Sequence, residues 1–92
     1  NKLHNYMNNM NKLEILKDAL AGRENEILNY QINIDNFSLA IAKIKEEHAG
    51  KRGMREFSKN LKERLEDTET EQLKSIILRD VLVDQIAELE AS

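Results

Sequence analysis

The chain has no cysteine, no proline and no tryptophan, and only four of its 92 residues are aromatic: Tyr6, Tyr30, Phe37 and Phe57. Each absence excludes something. Without cysteine there is no disulfide framework, no thiol nucleophile and no cysteine-ligated zinc. Proline is the residue a helix interior tolerates least, so a proline-free chain rich in Leu, Ile, Lys and Glu is suited to long helices. No apolar run approaches the ~18 residues that a membrane span requires. No signal-peptide pattern opens the chain, and a cytoplasmic location is the expectation.

What is present is charge, laid out unevenly. The formal net charge is −3, but residues 1–42 carry −1, residues 43–64 carry +4 and residues 65–92 carry −6. Asparagine, isoleucine and lysine are abundant, a composition that fits a bacterial or phage accessory protein.

The first half follows a heptad. Every seventh residue from Tyr6 gives Tyr6, Leu13, Leu20, Ile27, Ile34, Ile41 and His48. Three residues after the first six of these stand Asn9, Leu16, Arg23, Tyr30, Phe37 and Ile44. A heptad sustained this long keeps one stripe facing a partner helix and predicts helix over about 2–48. Polar Asn9 and Arg23 in the seam read as register or orientation devices. Gly22 is the one weak point, a place where the helix either bends or breaks into 2–21 and 24–48. Because the heptad keeps its phase across Gly22, one long or gently bent helix is favoured.

A second helix is predicted over about 54–90. Gly53 is placed to cap it, and Glu56 lies in the first turn, where negative charge suits the helix dipole. Met54, Phe57, Leu61 and Leu65 form an apolar stripe. Glu66–Gln72 offers almost nothing to bury and reads as a solvated face. From Leu73 to Leu89 the segment is apolar around most of its circumference.

Folding back at Gly50 and Gly53 makes residues 1–92 one all-α domain, a long antiparallel two-helix hairpin of coiled-coil type. Residue i then lies near residue 101 − i, so Phe37 faces Arg64 and Ile34 faces Asp67. The ends pair well, but the apolar middle of the first helix meets the polar segment of the second. A helix of about 46 residues is about 70 Å long, and two such helices make a poor core. Bundles of four helices surround a shared one, so a dimer of hairpins is expected. Unlike ends attract, which favours antiparallel packing of the two copies. Tyr30, Ile34, Phe37, Ile41, Ile77, Val81 and Ile86 are the residues expected at the oligomer or partner interface.

Chemistry is sparse. Gly50-Lys51-Arg52-Gly53 is a G-x-x-G sequence, the spacing with which KH domains approach a nucleic-acid backbone. Here long heptad helices flank it, and no strand-like segment exists to build a sheet. A helix-ending glycine followed by a capping glycine explains the same residues. His4 and His48 lie at opposite ends of the first helix and do not converge. The Glu-x-x-His pair of di-iron bundles is missing, since Lys45 stands three residues before His48. No phosphate-binding or dinucleotide motif is present, and no serine or threonine has a histidine base nearby. No catalytic residue, cofactor, metal or small-molecule substrate is expected.

These features point to a non-enzymatic protein–protein interaction module: an oligomeric helical adaptor, assembly chaperone, inhibitor or regulator. An alternative is nucleic-acid binding through the basic turn region 43–64, with Lys51, Arg52, Arg55 and Lys59 on phosphates. The acidic pI of about 5.4 argues against it, since nucleic-acid binders present basic faces. A further alternative is a passive oligomerisation or spacer segment of a larger assembly, which the absence of an initial methionine fits.

Overall fold

The structure is a computed structural model that describes the backbone of residues 2–92 and the side chains of residues 7–92. It is all-α, with α1 spanning Lys2–Glu47 and α2 spanning Met54–Ala91. The two form the helical hairpin that the heptad and the glycine pair predict. α1 runs unbroken through Gly22. The side chains of His4 and Tyr6, the latter the first expected seam residue, lie outside the described residues.

The reversal between the helices is built from two tight turns. The His48 amide donates to the Ile44 carbonyl at 2.9 Å and completes the last turn of α1. The Lys51 amide then donates to the His48 carbonyl, and the Met54 amide to the Lys51 carbonyl, each at 3.1 Å. These are two consecutive four-residue turns sharing Lys51. Gly50 and Gly53 sit at their third positions with φ of 79° and 81°, the sign a type II turn requires there. Gly53 also caps α2, because its carbonyl accepts from the Phe57 amide at 3.0 Å.

Side-chain burial follows the heptad. From Leu13 to His48, every seam residue of α1 is half-buried or buried, and outside the seam only Glu26 and Ala40 are not exposed. Asn9 is exposed and plays no part in the seam. In α2 the inner positions are Met54, Ser58, Leu61, Leu65, Thr68, Gln72, Ser75, Arg79, Leu82, Ile86 and Leu89, alternating steps of four and three, with Ile76 beside them. Phe57 is therefore not in the stripe where the spacing predicts it; it is 47% exposed. The alternation of four and three carried back from Leu65 and Leu61 gives the inner position to Ser58, one residue past Phe57.

The chain divides into two compact units. In the unit Leu28–Leu73, Ile44 and Leu61 are the buried apolar residues. Here the polar middle of α2 meets α1 through specific pairs. The Arg64 guanidinium carbon lies 5.1 Å from the centre of the Phe37 ring, the pairing that the hairpin register predicts. Gln72 Nε2 donates to Gln31 Oε1 at 2.9 Å, and Gln31 Nε2 donates to Asp35 Oδ1 at 2.9 Å. Thr68 and Thr70 turn their hydroxyls back to the carbonyls of Arg64 and Glu66, so they satisfy themselves within the helix. Glu66–Gln72 is thus only partly a solvated face, with Thr68 and Gln72 half-buried.

In the unit of Asn1–Ile27 with Lys74–Ser92, Ile86 is the buried apolar residue and Ser75 is buried with it. The Ser75 hydroxyl donates to Glu26 Oε1 at 2.9 Å, while Arg23 Nη1 donates to Glu26 Oε2 at 3.1 Å. The polar seam residue Arg23 therefore anchors a carboxylate that reaches across to α2. Among the described residues, no buried side-chain polar atom lacks a hydrogen-bond partner.

The three glycines make opposite demands. A Cβ at Gly22, Gly50 or Gly53 would meet nothing within 4 Å, so only backbone conformation separates them. Gly22→Ala is expected to stabilise the fold by about 1 kcal/mol, the helix-propensity difference. Gly50→Ala and Gly53→Ala are expected to destabilise it by roughly 1–2 kcal/mol each, the cost of a left-handed L-residue. Urea titrations followed by circular dichroism at one protein concentration check all three signs. In the same assay, a double-mutant cycle of Ser75→Ala and Glu26→Ala is expected to show a coupling of about 1 kcal/mol. Strict additivity would mean that the hydrogen bond does not align the helices.

Candidate functional site

The residues most able to recognise a partner gather at the two ends of α2. At the turn, inside the unit Leu28–Leu73, the chain reversal brings the end of α1 and the start of α2 together and leaves two depressions. The larger is an open cleft of about 1170 Å³ floored by Ile41, Ile44 and Met54. Lys45, Lys51, Arg55, Lys59 and Lys62 line it, but so do Glu56 and Glu63.

The smaller is a groove of about 480 Å³ with Ala40, Ile44, Met54 and Phe57 as its apolar part. Lys43, His48, Lys51 and Arg52 form its polar part, and no carboxylate lines it. Lys51 Nζ donates to His48 Nδ1 at 3.0 Å, which leaves the ring proton on Nε2. Glu47 stands beside the rim, with Oε2 3.6 Å from Lys43 Nζ and 3.9 Å from His48 Nε2. Lys43 is thus beside Glu47 and Lys51 beside His48, with Lys51 and Arg52 both exposed on the rim.

The four cations expected to contact phosphates are thus split between two surfaces. Arg55 and Lys59 line the larger cleft, Arg52 lines the groove, and Lys51 lines both. A nucleic-acid strand is tracked by one continuous basic groove with aromatic platforms, and this arrangement is not one. The G-x-x-G spacing itself follows from two consecutive turns, each needing a glycine at its third position.

The residues expected at an oligomer interface also separate. Tyr30, Ile34, Phe37 and Ile41 are half-buried along the α1 seam, and Ile86 is buried. Ile77 and Val81 are 55% and 49% exposed. Leu78 beside them is exposed as well. The same helical face continues to Asp84 and Glu88, both exposed. Arg79 lies on the opposite, inner side of α2, its Nε donating to Asp80 Oδ1 at 2.9 Å. The stripe is therefore apolar at one end and acidic at the other.

Ile32 and Leu39, part of the apolar middle of the first helix that the sequence leaves without a match, are exposed, and so is Leu28, which sequence reasoning did not single out. The signal was available, since Leu28 is a large apolar residue away from the heptad seam. Among the described residues, no group of three or more His, Cys, Asp or Glu is placed to hold a metal ion. Among them too, no helix is long and apolar enough to cross a membrane. Against known proteins, no family model, no curated protein and no solved structure matches the chain.

Proposed function

We propose that this chain is a non-enzymatic protein–protein interaction module, a small cytoplasmic helical adaptor or regulator that works as a homodimer and forms a four-helix bundle. One observation carries the reading. Among the described residues, twelve large apolar side chains are exposed, while only Ile44, Leu61 and Ile86 are buried apolar residues. Each large apolar side chain left in water forgoes roughly 1.5–3 kcal/mol of burial, which a partner covering it would recover.

The area argument agrees. The chain exposes 7323 Å², whereas a compact monomer of 10.7 kDa exposes about 5,500 Å². A standard interface removes about 800 Å² from each partner, a large share of that excess. A homodimer is the simplest source of such a partner, since closed two-fold dimers are the commonest oligomers.

Sedimentation equilibrium tests this. The wild-type chain is expected at twice its chain mass at micromolar concentration. Ile77→Asp with Val81→Asp is expected to raise the dissociation constant at least about tenfold, a loss of about 1.4 kcal/mol. Both positions are exposed, so helicity by circular dichroism should not change. A wild-type chain that stays at single-chain mass across the concentration range would defeat the proposal.

A further inference from the structure

Resting on the homodimer reading above, we propose that the carboxylate-free groove at the turn is the receptor for the outer stripe of α2 from a second copy. Two chains then pair head to tail, each turn seated against the other's Ile77–Glu88 stripe.

The groove states what it can hold. Its floor of Ile44, Met54 and Phe57 calls for apolar side chains, and Phe57 is nearly half-exposed with nothing of its own chain to cover it fully. Its rim of Lys51 and Arg52 calls for carboxylates placed beside those side chains. A phosphate backbone would answer the rim and leave the floor wet. A purely apolar helix would answer the floor and leave two cations facing an uncharged surface.

The chain itself carries the required occupant. Ile77, Val81, Asp84 and Glu88 follow one another by four, three and four residues, so they lie on one face of α2, with Leu78 alongside. The first two are apolar and the last two acidic, in the order a groove with an apolar floor and a cationic rim accepts. The cation on this face is Lys74, one heptad before Val81 and beyond the apolar end of the stripe, whereas Arg79 lies in the seam and is held by Asp80 at 2.9 Å.

Reciprocity follows. Each copy owns one groove and one stripe, so in a two-fold pair the contact of one copy's groove with the other's stripe is made again in reverse. The opposite arrangement would place +4 of residues 43–64 against +4, and −6 of residues 65–92 against −6. Like charges brought together across an interface cost several kcal/mol, which selects the head-to-tail pair.

Charge reversal with complementation tests the proposal. Lys51, Arg52, Asp84 and Glu88 are all exposed, so reversing them leaves the hairpin seam intact. The double variants Lys51→Glu/Arg52→Glu and Asp84→Lys/Glu88→Lys are each expected to raise the dimer dissociation constant at least about tenfold, with helicity by circular dichroism unchanged. Mixing the two is expected to restore dimerisation, because the heterodimer makes one contact between wild-type groups and the other between reversed groups of opposite sign. A chain carrying all four reversals restores both contacts with inverted sign, and it is expected to dimerise within a few-fold of wild type. If both double variants dimerise as wild type does while Ile77→Asp/Val81→Asp does not, the groove is not the receptor and only this inference falls. If the wild-type chain is monomeric throughout, the homodimer reading falls with it.

Discussion

What the unit Leu28–Leu73 can bury depends on six residues, His48 to Gly53, that reverse the chain through two tight turns. Each turn is closed by a backbone hydrogen bond and needs a positive φ at its third position, which Gly50 and Gly53 supply. A connection this short leaves the helices little freedom to slide. The cross-helix pairs have the corresponding regularity. Phe37 meets Arg64 and Gln31 meets Gln72 in one unit, and Glu26 meets Ser75 in the other. A slip of one residue would rotate a helix face by 100° and break every one of these pairs.

Those pairs are polar because the two seams are unlike. The α1 seam is mostly apolar, whereas Ser58, Thr68, Gln72, Ser75 and Arg79 occupy nearly half of the α2 seam. A hydrogen bond or a cation over a ring contributes about 0.5–1.5 kcal/mol, less than burying a leucine or isoleucine. The hairpin therefore gives up stability at those positions. What it gains is alignment, because a polar pair is satisfied in one register only, as with a single buried asparagine in a coiled coil. A hairpin so built is well aligned and thinly buried, and its off-seam isoleucines, leucines and valines stay outside.

The two helices, the turn and the α1 seam were legible in the sequence because each has a strong physical signature. Seven-residue periodicity marks a seam, and paired glycines three residues apart mark consecutive turns. The phase of α2 was harder to read. Met54, Phe57, Leu61 and Leu65 follow one another by three or four residues, and either spacing keeps neighbours on roughly one side of a helix. Only the longer repeat decides: Leu65 and Ile86 are three heptads apart, and carrying that phase back selects Ser58 over Phe57. Ser75 and Gln72 were invisible to a search for apolar periodicity, because a polar residue satisfied by one specific partner looks like a surface residue. The turn-end groove needed three dimensions, since its cations and its apolar floor come from both sides of the chain reversal.

The distribution of charge has no use inside a single hairpin. Local pairs such as Lys43 with Glu47 and Arg79 with Asp80 are exposed or half-exposed and contribute little to stability. The excess of +4 around the turn and of −6 over residues 65–92 remains after such pairs are made. Like charges within each of these segments repel one another, and at physiological salt the repulsion extends over about 8 Å. It is relieved only when a surface of the opposite sign comes within that distance. Charge asymmetry of this kind bears on association rather than on fold. In the pairing proposed above, a second copy supplies both the opposite charge and the matching apolar side chains.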